Sequence, residues 1–122
     1  MVDHVALNVR DLAVARAFYE KALAPLGYTV GLDLGSDLGF ESPEGEHDFW
    51  LCKRGEPSAP THVGFRAADR ETVDAFHRAG IDAGGSDNGA PGIREHYHEN
   101  YYAAFVLDPE GSNIEAVCQQ PA

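Results

Sequence analysis

Three side chains in this sequence have the types and settings needed to hold a metal ion: His4, His62 and Glu115. Imidazole nitrogen and carboxylate oxygen are donors that first-row divalent cations accept, and a site needs several of them converging from separate parts of a fold. Glu115 stands inside the apolar run Ile114–Cys118. An ionised carboxylate is costly there unless it is paired or bound to a cation. His4 and His62 each open a strand-like segment, and each has a small neighbour on its own face, Ala6 or Gly64, which leaves room for a ligand. Two histidines and one carboxylate with open positions form the facial arrangement of non-haem Fe(II) sites. Zn, Mn and Ni accept the same donors, so the expected cofactor is a divalent metal ion, Fe, Zn, Mn or Ni, with the choice left open.

A repeat gives these donors a reason to meet. His62 lies 58 positions after His4 (62 − 4), and the same shift places Val5 on Val63, Asp11 on Asp69, Ala17 on Ala75, Phe18 on Phe76 and Gly27 on Gly85. All the matches share one register, and each pair is expected to serve one role in one supersecondary unit. If the halves pair about a pseudo-twofold axis, the two imidazoles face each other across it. Aligning the last strand of each half sets Trp50 against Glu115, so the first half lacks a matching carboxylate.

Each unit reads as strand, helix and three strands. His4–Val9 alternates with the period of a half-buried strand. Asp11 takes a helix N-cap position, and Leu12, Ala15, Phe18, Tyr19, Ala22 and Leu23 give the helix one apolar face. Pro25 and Gly27 stop it, and strand-like runs follow at 28–34, 38–42 and 48–53. In the second unit, 62–67 is a strand. Asp69 caps a helix carrying Val73, Phe76 and Ala79 inward, and Gly80 ends it. A weak strand signal lies at 81–83 and a glycine-rich loop at 84–92. An aromatic strand follows over 97–105, continuing to 107, and the last strand covers 113–119. Module 1 spans about 2–55, the proline-containing link 55–60 and module 2 about 61–119, within a single domain. Each half has one sheet face to cover, so the two must share a core.

The segment Gly92–Tyr102 is dense in titratable and aromatic groups. His96 and His98 share one side of an extended chain and suit proton transfer near neutral pH, as does the hydroxyl of Tyr102. Tyr97 and Tyr101 are candidate substrate contacts. The alternative is that the tyrosines pack at a sheet edge or dimer contact and the histidines face water, or that His96 or His98 supplies a fourth metal ligand. The preceding glycines could form a flap over a cleft. Arg66 shares the His62 face and could bind an anionic substrate group, as could Arg94, although a solvated surface charge is the plainer role. Trp50 is either a stacking wall for a planar ligand or part of the core.

Composition narrows the function. The chain has 122 residues, 43% of them hydrophobic, and a formal net charge of −11. Such a charge repels nucleic acid and favours a cation or a metal. No apolar run is long enough to span a bilayer. Cys52 and Cys118, with no secretory signal pattern at the N-terminus, fit reduced thiols in a cytoplasmic protein.

Asp3-His4-Val5, Asp11-Leu12 through Phe18-Tyr19, Thr61-His62-Val63-Gly64-Phe65 and, above all, Phe105-Val106-Leu107-Asp108-Pro109-Glu110-Gly111-Ser112-Asn113-Ile114-Glu115 resemble the vicinal oxygen chelate superfamily of glyoxalases, extradiol dioxygenases and bleomycin and fosfomycin resistance proteins. The resemblance implies an α+β fold in which two paired βαβββ modules form a U-shaped mixed sheet around a cleft. It also implies metal ligands at His4, His62 and Glu115, with Trp50 at the fourth ligand position, which departs from the four-ligand glyoxalase I pattern. It implies a small-molecule substrate and a homodimer. Two functions follow from it. One is a metal-dependent enzyme of the dioxygenase-like or lyase/isomerase-like kind. The other is a metal-free protein that binds a small molecule or antibiotic.

Overall fold

Asp11 and Asp69 start the two helices as their positions predict. In the computed structural model, which describes residues 1–122, the Asp11 carboxylate accepts the Val14 backbone N–H at 3.1 Å and that of Asp69 accepts the Thr72 N–H at 2.8 Å. Each satisfies a donor that the first helical turn leaves free. Helix α1 runs over Leu12–Ala22 and α2 over Arg70–Asp82, while Ala24–Leu26, with its proline, forms one 3₁₀ turn.

The strands are β1 (Val5–Asn8), β2 (Thr29–Asp33), β3 (Asp37–Glu41), β4 (His47–Cys52), β5 (His62–Arg66), β6 (Ser86–Ile93), β7 (Tyr102–Leu107) and β8 (Asn113–Cys118). They make two four-stranded mixed sheets, ordered β1-β4-β3-β2 and β5-β8-β7-β6. In each the first and last strands of a module pair in parallel and the other neighbours are antiparallel. The order is the same in both halves, so the sequence repeat is a repeat of topology. Neither sheet closes into a barrel, and β1 and β5 each keep one unpaired edge.

The halves share one core of 21 buried residues drawn from both helices and both sheets. Phe65 of β5 packs edge-on against Phe49 of β4 and Tyr28, with ring centroids 5.2 and 5.4 Å apart. Tyr19 of α1, fully buried, donates its hydroxyl to Asp108 in the β7–β8 turn at 2.5 Å. Burial first, and then the Asp108 carboxylate, push the Tyr19 phenol well above its ordinary range. In the same turn the Glu110 carboxylate accepts the backbone N–H groups of Arg10 and Asp11 at 2.7 and 3.2 Å. The Asp-Pro-Glu-Gly turn of the second module is thus bonded to the entrance of the first helix. Both cysteines are buried and free. No helix is long and apolar enough to cross a membrane.

Four expectations need correction. Helix α2 does not end at Gly80 but continues to Asp82, which removes the strand expected at 81–83. Gly80 is there for close packing: a Cβ on it would lie 3.1 Å from Val106. The glycine-rich segment is no free loop. It is β6, an edge strand held to β7 through two register shifts, because backbone pairing needs no side chains. The aromatic strand is shorter than expected, and 95–100 turns back instead. Finally, Gly27 and Gly85 do not share a role. Gly27 turns the chain at φ 87°, as Gly84 does at φ 99°. Gly85 instead makes way for Val106 and Phe18, which a Cβ would meet at 2.5 and 2.7 Å.

Candidate functional site

The strand registers place Glu115 at the centre of one sheet face. On β8 it pairs with Gly64 of β5 on one side and Phe105 of β7 on the other, and Phe105 pairs with Gly89 of β6. Paired residues share a face, so Gly64, Glu115, Phe105 and Gly89 form one row across the second sheet. Residues two away along a strand lie on that same side, which brings His62 there. The core-facing residues Ile114, Ala116, Ala104 and Val106 lie on the opposite side.

Glu115 is 3% exposed, and both of its oxygens are engaged. His62 Nε2 lies 2.8 Å from Oε1, and the Tyr101 hydroxyl donates to Oε2. Burial first, then the bond to Glu115 and its charge, hold the Tyr101 phenol above its ordinary range, so the hydroxyl keeps its proton. The His62 side chain remains 54% exposed, with the Phe105 ring 6.2 Å away. Arg94 spans the Phe105 ring at 5.4 Å and donates to the Gly92 and Ala90 carbonyls at 2.8 Å each, pinning the edge strand. Tyr97 packs against Tyr101 with ring centroids 5.0 Å apart, and His96 against Tyr97 at 4.1 Å, both pairs tilted. An aromatic ladder therefore runs from the 95–100 turn to the carboxylate.

The first sheet carries the equivalent row. Ala6 of β1 pairs with Trp50 of β4, Trp50 with Gly39 of β3, and Gly39 with Leu32 of β2. Position by position, Ala6 stands for Gly64, Trp50 for Glu115 and Gly39 for Phe105. The register thus puts Trp50 where the second half has its carboxylate, and Trp50 lies outside the shared core.

Of the residues selected from the sequence, the structure joins His62, Glu115 and Tyr101, with Tyr97 and His96 stacked behind. It does not join His4 to them. His4 lies just ahead of β1, 56% exposed in its side chain, with Nδ1 2.7 Å from Asp3. Within one chain no three His, Cys, Asp or Glu side chains cluster to hold a metal. Tyr102 points to the helix side, where its hydroxyl donates to Asp74 at 2.6 Å, so Tyr101 is the tyrosine at Glu115. His98 Nδ1 accepts the Asn100 backbone N–H. Arg66 is exposed at the end of β5, where it pairs with Val117. Arg94 is occupied with backbone carbonyls and the Phe105 ring. Phe105 itself was not singled out in the sequence, although period-two counting from Leu107 would have put it on the site face.

His62 and Glu115 fit as two ligands of one cation. A separation of 2.8 Å between a nitrogen and an oxygen donor matches adjacent positions around an ion bound roughly 2.0–2.2 Å from each.

The family model for the Glyoxalase/Bleomycin resistance protein/Dioxygenase superfamily matches residues 1–116. The chain belongs to that superfamily. A glyoxalase/bleomycin resistance protein from Albidiferax ferrireducens T118 is 34% identical, with 98% of each chain covered and a TM-score of 0.82. Two further structures share the superfamily fold at lower identity. One is a glyoxalase/bleomycin resistance protein/dioxygenase family enzyme from Burkholderia phytofirmans PsJN (20% identity, 98% of each chain, TM-score 0.76). The other is a putative glyoxalase from Bacillus halodurans (24% identity, 97% of this chain and 95% of that one, TM-score 0.72). No curated protein matches the chain.

Proposed function

We propose that this superfamily member is a divalent-metal-dependent enzyme acting on a small substrate with adjacent oxygen atoms. In this reading His62 and Glu115 of one copy and His4 of a second copy hold the metal. The observation that carries it is the Glu115–His62 pair: a buried carboxylate and an accessible imidazole set at ligand spacing on an uncovered sheet face. Two further observations support a site shared between chains. His4 is half-exposed and joins no cluster of three donors in its own chain, and β1 and β5 both offer free edges to a partner.

When bound, the metal would act as a Lewis acid toward the substrate oxygens. The chain's own groups do the rest. Tyr101 holds its proton on Glu115 Oε2 and so fixes the carboxylate's orientation. Phe105, braced by Arg94, forms an apolar wall beside His62. His96, exposed at the head of the aromatic ladder, is placed to exchange protons with solvent.

The test is elemental analysis of the untagged protein beside the His4→Ala and Glu115→Ala variants. About one metal per chain in the wild type and none in either variant is the expected result. Mixing the two variants then locates the site. A mixed dimer rebuilds one of its two sites only if each site crosses chains, which restores about a quarter of the wild-type metal on random exchange. No recovery would place the whole site within one chain, and metal retained by His4→Ala would place His4 outside it.

A second reading rests on one specific observation. His62 and Tyr101 satisfy both Glu115 oxygens within one chain and without a metal. Under it the protein is a metal-free small-molecule binder, and neither variant changes metal content because none of the three proteins holds metal.

A further inference from the structure

Tyr101 reaches Glu115 across a row of the second sheet. Tyr101 stands just ahead of β7 and shares the site face with Ala103 and Phe105 by period two, and Phe105 is the strand partner of Glu115. Tyr101 therefore starts about 13 Å along the strand from that partner, at roughly 3.3 Å per residue. Between them runs the row Val117, Ala103, Gly92, whose two small members leave room for the phenol to lean over. Ala103 is fully buried although it lies on the site face, which fits a ring lying over it. The reach is held from behind. The Arg94 N–H donates to the Tyr101 carbonyl at 2.8 Å and the Tyr101 N–H to the His98 carbonyl at 3.1 Å, so the 95–100 turn is closed on its own backbone. The Tyr97 ring backs the phenol, with centroids 5.0 Å apart. The two oxygens of Glu115 thus have different neighbours. Oε1 meets the half-exposed His62 imidazole, while Oε2 accepts the fixed Tyr101 hydroxyl. The first half, which has Trp50 in place of the carboxylate, has no such donor: four positions before Gly39, the counterpart of Phe105, stands Gly35.

We infer that Tyr101 is a positioning residue that confines Glu115 to coordination through one oxygen and thereby sets which ions the site accepts. This rests on the proposed function. A carboxylate whose Oε2 is held by a hydroxyl offers a metal only Oε1, beside the His62 nitrogen. That arrangement suits a small ion that takes few ligands in fixed directions, such as Zn(II). Larger ions that favour oxygen, such as Mn(II), gain from a carboxylate free to bring both oxygens, and Tyr101 denies them the second. Fixing a ligand's orientation from behind also raises affinity, by roughly 10–100-fold where such partners are removed.

The probes are the ions alone, Zn(II) and Mn(II), added to untagged, metal-stripped wild type and Tyr101→Phe. Zn(II) affinity is read by competition with a chromophoric chelator, and Mn(II) affinity by the paramagnetic resonance signal of the free ion. Tyr101→Phe keeps the ring and deletes the hydroxyl. It is expected to weaken Zn(II) roughly 10-fold but Mn(II) less than about threefold, because the freed Oε2 offsets the lost orientation. The ratio of the two affinities therefore falls. That ratio decides the matter, since partial unfolding of the variant lowers both affinities alike and leaves it unchanged. An unchanged or raised ratio overturns the inference, whether the affinities themselves are kept or lost. Binding of neither ion by the wild type, or wild-type affinity for either ion in Glu115→Ala, overturns the proposed function and the inference with it.

Discussion

The Tyr101 hydroxyl decides how Glu115 tolerates its burial. A carboxylate that is 3% exposed needs donors on both oxygens, and only His62 and Tyr101 supply them. Tyr101→Phe keeps the ring and removes one donor. It is expected to lower stability by about 1–3 kcal/mol, measured by urea unfolding, and to leave the Tyr97 stacking in place. A wild-type-like midpoint would mean that water replaces the hydroxyl. Because burial and the bond to Glu115 raise the Tyr101 phenol, the hydrogen bond persists across the neutral and mildly alkaline range. A pH titration of tyrosinate absorbance should therefore show one of the five tyrosines lagging at this site. Tyr101→Phe would abolish that part of the lag. Tyr19 and Tyr28, chiefly through burial, and Tyr102, chiefly through its bond to Asp74, lag as well and would remain.

At the scale of elements, the close approach of helix and sheet depends on residues without side chains. Gly85 sits where a Cβ would meet Val106 at 2.5 Å, Phe18 at 2.7 Å and the Gly80 carbonyl at 2.8 Å. Phe18 and Val106 are fully buried and the carbonyl is backbone, so none can move aside cheaply. Gly85→Ala is expected to cost roughly 1–3 kcal/mol by overpacking, read as a lowered urea midpoint with unchanged slope. The α2 cap gives a pH signature. The Thr72 side chain and backbone N–H both hold the Asp69 carboxyl below its ordinary value. A depressed carboxylate stabilises the fold fully above its unfolded pKa of about 3.9, and that contribution fades as pH falls through the lower folded value. Asp69→Asn, which keeps a capping acceptor, should flatten the acid limb of the stability curve below about pH 4. An unchanged limb would put the acid sensitivity elsewhere.

For the whole molecule, the two modules are held by a shared core and by the β7–β8 turn. Tyr19 reaches Asp108 and Glu110 reaches the Arg10 and Asp11 N–H groups, so one turn of the second module binds the first helix at two places. Tyr19→Phe removes a buried hydroxyl bond and is expected to cost about 1–3 kcal/mol. The unfolding should remain one cooperative transition by both near- and far-ultraviolet circular dichroism, because the apolar core still joins the halves. Two separate transitions would show instead that this bond couples the modules. The net charge of −11 opposes association of two copies. A dimer joined through the β1 and β5 edges is therefore expected to tighten as salt is raised from low ionic strength, measured by sedimentation velocity. Salt-insensitive self-association would argue for a contact away from the charged surface.

Much of this architecture is legible in the sequence because it depends on local rules. The 58-residue repeat, the Asp11 and Asp69 caps and the alternation around Glu115 are short-range patterns, and each predicts an element that the fold contains. The equivalence of Trp50 and Glu115 in the two halves is legible for the same reason, since strand register follows period two from fixed turns. Glycine misleads where its reason is tertiary. Gly80 and Gly85 look like helix and strand punctuation, yet both exist to admit Val106, a residue more than 20 positions away. The 84–92 segment looks like a loop because backbone hydrogen bonds to a neighbouring strand leave no trace in side-chain types. The choice of Tyr101 over Tyr102 at the carboxylate, and the bonding of His4 to Asp3 instead of into the Glu115 group, are also tertiary decisions. Both depend on where a chain turns and how two sheets are set relative to each other, and those are long-range contacts that no local spacing encodes.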